Sequence, residues 1–317
     1  MKESTPIHRR PVQMRTDKRK SAGVPAFLCV LVLSILPALW APEQGQIPSE
    51  QEIWQDFTTW MRSSPERPTL ESYGEKLAAG GYSESEVARR LEIIRRLLKE
   101  DPLRGVELTY DRIFSKPVTG DPQKDGFTST PSAFLMESAK GLQPGRALDV
   151  GAGQGRNAVW LARQGWEVTA IDISGSGLAA AAANAARAGV RLTTVKTSYQ
   201  DFDFGSGRWD LIVMILSWAP MSDPKFVARV EAGLRPGGIL IFEHVLETKK
   251  QKFPPVVHPL PPNALLRYVG DLTIQYYEEN VWQGDWGGPP AELVRLIASK
   301  GPARPDPIGN RQHPPRS

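Results

Sequence analysis

The sequence predicts an α/β protein: a Rossmann-like, doubly wound seven-stranded sheet with helices on both faces, preceded by a small helical N-terminal region. Two observations predict the sheet. From residue 146 onward, short apolar runs of strand length alternate with helical patterns, which is typical of a parallel sheet. The first of these runs, ALDV at 147–150, leads into three glycines at alternate positions and then a helical pattern. A strand, a tight turn and a helix start open a βαβ unit.

The remaining elements follow from the same alternation. The predicted strands are 147–150, 167–171, 192–196, 210–215, 238–243, 272–278 and 294–298. The predicted helices between and before them are 132–139, 157–164, 177–188, 224–234 and 263–269. Ser174 is placed to cap the helix that starts near 177. The block LRPGG at 234–238 predicts a helix stop, a tight turn and a new buried strand.

Residues 42–126 are interpreted as a helical cap followed by a linker. Helical patterns cover 51–61, 70–77 and 83–98, and the last begins with Ser83 and a glutamate three residues later, an N-cap pattern. Turn-forming residues predict a loop over 110–131, which lies directly before the glycine turn and is positioned to form a lid over a ligand. Its aromatic residues are interpreted mainly as packing residues: Tyr110, Phe114 and Phe127.

The two ends of the chain differ in composition from the rest. Residues 1–23 are basic and polar, and 24–41 form an uncharged apolar run. This order predicts a signal peptide or a signal anchor, so the protein is expected to be membrane-associated or exported. It is expected to be cytoplasmic if the true start lies downstream of that run. The tail 301–317 is rich in Pro, Arg and polar residues and is predicted to be disordered.

Charge and cysteine content exclude some classes of function. The net charge is +4, but residues 1–23 hold seven Lys/Arg against two Asp/Glu, which leaves 32 basic and 33 acidic residues in the remainder. A nearly neutral folded part does not favour nucleic-acid binding. The single cysteine, Cys29, allows no disulfide within the chain and no cysteine cluster for zinc, so no metal site is expected.

Two carboxylates indicate what the glycine turn holds. Asp172 ends the second predicted strand, where a carboxylate is placed to accept hydrogen bonds from two ribose hydroxyls. Asp149 lies two positions before the first glycine, whereas a strand that receives a negatively charged pyrophosphate is usually apolar there. The pair therefore predicts an adenosine-like ligand with a cationic end.

Four motifs, of which the first contains the glycine turn, follow one another in the order typical of the class I S-adenosylmethionine-dependent methyltransferase family. On these motifs, residues 127–300 resemble that family. The motifs are ALDVGAGQGRN at 147–157, TAIDIS at 169–174, RWDLIV at 208–213 and LRPGG at 234–238. The GQGRN variant is similar to the tellurite-resistance and small-molecule branch. The resemblance implies a seven-stranded sheet whose last strand pair is antiparallel, with S-adenosylmethionine across the carboxyl ends of the first two strands.

The resemblance also implies roles for individual residues. Asp172 would bind the ribose hydroxyls, Asp149 would act near the amino group of the cofactor, and Arg156 would pair with its carboxylate or simply be an exposed helix residue. The methionine and ribose would be lined by Gly151, Gly153 and Gly155. Ile173 would flank the adenine. Where the family commonly has an acidic residue after the third strand, this chain has Ser198, with Tyr199 and Asp201 close by.

The methyl-transfer end is less defined. The loop after the fourth strand, LSWAP at 216–220, lacks the Asn/Asp-Pro-Pro-aromatic pattern of amino-methylating relatives. Trp218 is a candidate wall for the methyl group through cation–π attraction, with core packing as the alternative. His244 is a candidate general base, with a plain hydrogen-bonding role as the alternative.

The sequence thus favours an S-adenosylmethionine-dependent methyltransferase that acts on a small-molecule acceptor. Two other classes stay open: a catalytically silent, membrane-tethered binding module of the same fold, and a nicotinamide-dependent oxidoreductase. The acceptor, its reacting atom and the oligomeric state are not encoded in any motif.

Overall fold

The structure, a computed structural model, describes residues 47–64, 68–116, 128–247, 259–282 and 290–302. The chain divides into two units, Met1–Ile47 and Pro48–Ser317, and the description below concerns the second. The apolar run 24–41, Phe127 and the tail from 303 onward lie outside the described residues. Within the described ranges, no helix is both long and apolar enough to cross a bilayer.

The sheet has seven strands in the order β3-β2-β1-β4-β5-β7-β6. Strands β1 to β5 pair in parallel, whereas β7 runs antiparallel to both β5 and β6. The strands are β1 Arg146–Val150, β2 Glu167–Asp172, β3 Thr193–Lys196, β4 Trp209–Ile215, β5 Leu234–Val245, β6 Thr273–Trp282 and β7 Ala291–Ser299. The predicted fold class is therefore confirmed, and the last three strands are longer than predicted.

Helices cover both faces of this sheet. They are α5 Ala133–Ser138, α6 Arg156–Arg163, α7 Gly175–Arg187, α8 Pro224–Gly233 and α9 Ala264–Tyr268. One face packs side chains of α5, α6 and α7 against the strands, and the other packs α8 and α9. Ser174 caps α7, since its hydroxyl accepts the N–H of Gly177 at 3.0 Å. The chain order reverses between β1 and β4, which opens a crevice at the carboxyl ends of those strands.

The N-terminal helices are α1 Glu50–Ser63, α2 Leu70–Ala79, α3 Glu84–Glu100 and α4 Pro102–Ser115. The first three share an apolar core centred on Ile53, Tyr73 and Ile94. Ser83 caps α3 by accepting the N–H of Glu86 at 3.3 Å, as predicted.

The predicted loop over 110–131 is wrong at its start, because Tyr110 to Ser115 form the end of helix α4. Two features start this helix. Asp101 is its N-cap and accepts the N–H of Leu103 at 3.1 Å, and Pro102 occupies the first helical position, where its missing N–H costs nothing. Turn-forming residues beyond Lys116 obscured the helical pattern in the sequence.

The Pro-Gly-Gly block is also different from the prediction. Residues 234–238 belong to β5, and the register against β4 shifts between Trp209 and Leu211, which pair with Leu234 and Ile239. Gly237 has a φ of 77°, a conformation that glycine adopts without strain. The block is therefore an irregularity within one long strand, and the helix before it ends at Gly233.

Strand β4 lies in the middle of the sheet and is lined with buried apolar side chains. Leu211 of β4 is 0% exposed and Leu266 of α9 is 47% exposed. We expect Leu211→Ala to lower the free energy of unfolding by about 2–5 kcal/mol, because a buried cavity adds to the lost transfer free energy. The matched change Leu266→Ala should cost under about 1 kcal/mol. Urea unfolding of both variants measures this, and equal losses would contradict the assignment of the core.

Candidate cofactor-binding site

The glycine turn after β1 lies at the crevice between β1, β2 and β4. Gly151, Gly153 and Gly155 all have positive φ, at 72°, 53° and 77°, so only glycine adopts this backbone without strain. The amide of Gly151 donates to the carbonyl of Ile171 at 2.9 Å. This hydrogen bond ties the start of the turn to β2 and fixes its position at the sheet edge.

The three glycines differ in what surrounds them. Gly151 is exposed, whereas Gly153 and Gly155 are buried. A Cβ on Gly153 would lie 2.8 Å from the ring of Phe114, and one on Gly155 would lie 2.7 Å from the Cβ of Ala181. The expectation that all three line a ligand stays a prediction. A Cβ on Gly151 would likewise lie 2.7 Å from the Cβ of Ser217, so all three positions require glycine, and among them Gly151 is the one with exposed backbone.

Asp172 holds the turn from the tip of β2. Its Oδ2 accepts the N–H of Gly153 at 2.8 Å, and its Oδ1 accepts the N–H of Ser174 at 2.8 Å. Burial raises the pKa of Asp172 above its ordinary value, although these amide hydrogen bonds oppose the shift. Each carboxylate oxygen keeps a further lone pair. The carboxylate is only half-buried and is oriented to accept two more donors.

Asp149 lies beneath the turn and is 2% exposed. Burial raises its pKa to about 7, and the charge of Arg156 and the N–H of Ala158 oppose that shift. Its Oδ2 has no hydrogen-bond donor among the described residues. A buried acceptor without a donor is costly, so this oxygen is available to a cationic or donor group.

The other predicted binding residues surround the same edge. Arg156 begins α6 and donates from Nη1 to the carbonyl of Thr130 at 3.0 Å, which anchors the segment before α5 to the turn. Ile173 is half-buried after β2. Ser198 is 8% exposed and donates its hydroxyl to Asp201 Oδ2 at 2.7 Å. Tyr199 packs edge-on against the ring of Phe226 at 5.8 Å between centroids.

The loop after β4 is strained. Leu216 and Trp218 have φ values of 54° and 56°, the left-handed region that costs a bulky side chain roughly 1–2 kcal/mol. Between them, Ser217 is 7% exposed, and its hydroxyl has no partner among the described residues. Such strain concentrates at functional sites, and Trp218 lies within this strained loop.

His244 lies behind Trp218. The two rings meet edge-to-face with centroids 4.7 Å apart, and His244 is 1% exposed. The imidazole therefore packs against the indole ring and has little exposed surface with which to contact an acceptor. The general-base role that the sequence suggested for His244 stays a prediction.

Sequence reasoning missed one carboxylate at this site. Asp111 of α4 is 4% exposed. Its Oδ1 accepts the hydroxyl of Ser174 at 2.7 Å and the N–H of Ser176 at 3.0 Å, and its Oδ2 pairs with Arg62 at 3.2 Å. Burial raises its pKa, but these partners outweigh burial and leave the pKa of Asp111 below its ordinary value. No local motif marks this residue, because its partners lie far away in the sequence.

The residues present suit S-adenosylmethionine. The Asp172 carboxylate is oriented by two amides and accepts ribose hydroxyls, and the orphaned oxygen of Asp149 suits an ammonium group. Exposed backbone at Gly151 separates the two carboxylates along the turn. The ring of Trp218 offers an aromatic face to a sulfonium. This donor set matches a cofactor with a ribose at one end and a cationic amino acid at the other.

Comparison with known families agrees with this geometry. Residues 147–238 match the family model described as "Methyltransferase domain". They span β1 to the irregular start of β5 and include every predicted cofactor-binding residue, from Asp149 to Tyr199. This part of the chain therefore matches a methyltransferase domain.

Individual relatives are distant. The chain is 30% identical over 192 residues to Hemagglutinin 1 of Eikenella corrodens, covering 56% of this chain and 62% of that protein. It is 32% identical over 111 residues to the ubiquinone biosynthesis O-methyltransferase of Vibrio parahaemolyticus, covering 34% and 47%. The structure of TehB from Haemophilus influenzae has 22% identity and a TM-score of 0.47, covering 54% and 62%. The chain thus spans less than two thirds of these proteins.

The buried acid under the turn predicts a pH-dependent stability. Below the unfolded pKa of 3.8, Asp149 is protonated in both states. As pH rises to about 7, the unfolded chain loses this proton first, so the free energy of unfolding falls by on the order of 4 kcal/mol. We expect Asp149→Asn to remove that loss, so that its stability relative to the unsubstituted protein rises from pH 4 to pH 8.

Denaturant unfolding across this pH range, without ligand, measures the effect. Asp271→Asn changes an exposed aspartate and serves as the matched control. Its free energy of unfolding, plotted against pH, should run parallel to that of the unsubstituted protein. Parallel curves for Asp149→Asn as well would show that Asp149 ionises normally in the folded protein.

Proposed function

We propose that this protein transfers the methyl group of S-adenosylmethionine to a small-molecule acceptor. One observation carries the proposal: the half-buried Asp172 carboxylate is oriented at the tip of β2 by the amides of Gly153 and Ser174. It lies beside the exposed Gly151, inside a methyltransferase domain. A carboxylate oriented in this way accepts the two hydroxyls of a ribose, and the exposed glycine backbone admits close approach of a ligand.

Each of the other site residues is assigned to a different part of the cofactor. Asp149 accepts a donor from the amino acid end, and a nearby ammonium would lower its raised pKa by stabilising the carboxylate. Arg156 adds positive charge at the same end of the turn, where the cofactor carries a carboxylate. Ile173, Ser198 and Tyr199 lie on the two loops that flank the adenine side.

Methyl transfer requires little chemistry from the protein. S-adenosylmethionine, when bound, would supply the methyl group: a lone pair of the acceptor would bond to the methyl carbon, and the electrons of the broken carbon–sulfur bond would stay on sulfur. The acceptor then releases its proton to solvent or a base. Alignment for such a displacement is worth roughly 7–11 kcal/mol. We assign Trp218 to the wall of the methyl site, and His244 to the support of Trp218.

Two features support a small-molecule acceptor. The chain without residues 1–23 has 32 basic and 33 acidic residues, so it offers no excess positive charge to a polyanion. One relative is named for O-methylation in ubiquinone biosynthesis. The tellurite-resistance and small-molecule branch remains the branch that we favour. The nicotinamide alternative is disfavoured by the methyltransferase domain, and the silent-module alternative predicts cofactor binding without turnover.

Calorimetric titration with S-adenosylhomocysteine tests the cofactor assignment. We expect binding to the unsubstituted protein and a loss of affinity of about 10-fold to 100-fold in Asp172→Asn, because hydrogen bonds to a charged acceptor contribute about 1.5–3 kcal/mol. Asp271→Asn should bind normally. A thermal melt shows whether each variant is folded. Unchanged affinity in a folded Asp172→Asn would remove the ribose assignment.

Turnover separates an enzyme from a silent module. Incubation with S-adenosylmethionine and a panel of phenols, thiols, amines and metalloid oxyanions should yield S-adenosylhomocysteine with at least one class, and Trp218→Ala should reduce that rate. Methylation of structured RNA alone would contradict the small-molecule acceptor. Binding without any turnover would favour the silent module.

We also propose that residues 1–41 attach the protein to a membrane or direct its export. A basic segment followed by an uncharged apolar run supports this. Fractionation of cells that express the full chain, tagged at either end, should place it in the membrane or exported fraction. A chain that starts at Pro48 should be cytoplasmic. The same fraction for both would contradict the proposal.

A further inference from the structure

Helix α4 lies across the same end of the sheet as the glycine turn. It packs against α7, whose N-terminus follows Asp172. Three of its side chains face this region: Tyr110, Asp111 and Phe114. Each makes a different kind of contact with the site, and each lies outside the matched domain of residues 147–238.

Asp111 fastens α4 to the sheet domain. Its carboxylate receives the hydroxyl of Ser174 and the amide of Ser176, and Arg62 of α1 completes its partners. Ser174 in turn donates its own amide to Asp172. The two carboxylates are therefore joined through one serine, so the position of α4 is coupled to the predicted ribose-binding residue.

Phe114 fits a slot made of glycine. A Cβ on Gly153 or on Gly177 would lie 2.8 Å from its ring. Any larger residue at either position would displace the ring, since 2.8 Å is well inside van der Waals contact. Tyr110 stacks on Phe114 with centroids 5.9 Å apart and planes inclined by 26°. The glycine slot thus fixes the position of both aromatic rings.

Tyr110 reaches the centre of the site. Burial, the main cause, raises the pKa of Tyr110 to about 12; a hydrogen bond with Trp218 opposes this shift, and the nearby groups Asp172 and Tyr199 add to it. An indole N–H is only a donor, so the tyrosine oxygen accepts from Trp218 and keeps its own hydrogen to donate. These neighbours are the residues assigned to the methyl, ribose and adenine parts of the cofactor.

We infer that helix α4 forms the outer wall of the cofactor site, with Tyr110 as a cofactor-binding residue and Asp111 as the positioning residue that holds the helix there. The inference rests on the proposed function, because it takes S-adenosylmethionine as the ligand. With S-adenosylmethionine bound, the Tyr110 ring would contact the sulfonium side of the cofactor beside Trp218, and its hydroxyl would donate to a polar group of the cofactor. Ligand and helix then stabilise each other.

Binding of S-adenosylhomocysteine to tyrosine variants tests the wall. Tyr110→Phe removes one hydroxyl and should weaken binding about threefold to tenfold, the effect of one neutral hydrogen bond. Tyr110→Ala should weaken it by more than about tenfold. Tyr82→Phe, at a position 39% exposed in the same helical region, is the matched control and should bind normally.

Hydrogen exchange tests the positioning role of Asp111. In the unsubstituted protein, S-adenosylhomocysteine should slow amide exchange in α4. Asp111→Asn should speed exchange in α4 without ligand, weaken binding, and recover protection of α4 at saturating ligand. Asp271→Asn should change none of these. A merely structural role would lower the melting temperature of Asp111→Asn without changing its affinity.

These experiments distinguish a failure of the inference about α4 from a failure of the proposed function. If the unsubstituted protein binds S-adenosylhomocysteine but the tyrosine variants bind equally well and α4 exchange is unaffected, the inference is wrong and the proposed function stands. Tighter binding by Tyr110→Ala would also overturn it, since α4 would then be a barrier to the ligand. No binding by the unsubstituted protein would overturn the proposed function itself.

Discussion

The carboxylate of Asp172 joins the glycine turn, strand β2 and helix α7 at one point. Its two oxygens receive amides from Gly153 and Ser174, on either side of the crevice. Charge-assisted hydrogen bonds of this kind contribute about 1.5–3 kcal/mol each, yet burial still leaves the pKa of the group raised. The folded chain therefore holds a carboxylate that gains from every further donor, which is the electrostatic condition for recognising hydroxyl groups.

A second carboxylate, that of Asp111, continues this hydrogen-bond network away from the sheet. Asp111 and Asp172 repel each other, and that repulsion contributes to the raised pKa of Asp172. Arg62 and the two serines offset it at Asp111. The site is thus a chain of alternating acceptors and donors that runs from α1 through α4 to the tip of β2. Within this chain Ser174 has three roles, because it caps α7 and bonds to both carboxylates.

The fold followed from the sequence because its signals are local. Glycines at positive φ, alternating apolar runs and the cap at Ser174 are each readable over a few residues, and the sheet order then follows from chain connectivity. Helix α4 was missed entirely, since the last predicted N-terminal helix ends at residue 98 and the segment from 110 was interpreted as a loop because turn-forming residues follow it. The Pro-Gly-Gly block was interpreted as a turn, since a register shift within a strand depends on the neighbouring strand, here Trp209 and Leu211.

The candidate site was predictable only where one motif carries it. Asp149 and Asp172 stand at fixed distances from the glycines, and the structure places both at the turn. The burial of Gly153 depends on Phe114, and the burial of His244 depends on Trp218. Neither contact has a sequence signal, because the partners come from separate elements. The sequence shows that a glycine has no side chain, but it does not show whether a ligand or another side chain of the protein occupies the space beside it.

The slot around Phe114 has a consequence for the modularity of the chain. A cut at residue 127, where the motif-bearing part begins, would leave a hollow floored by the backbone of Gly153 and Gly177 and would strip Ser174 and Ser176 of their acceptor. The part of the chain that carries the motifs therefore lacks some of its packing and hydrogen-bond partners when the N-terminal helices are removed. Its Gly153 and Gly177 leave room for a ring that helix α4 supplies, so the packing of this part depends on the N-terminal helices.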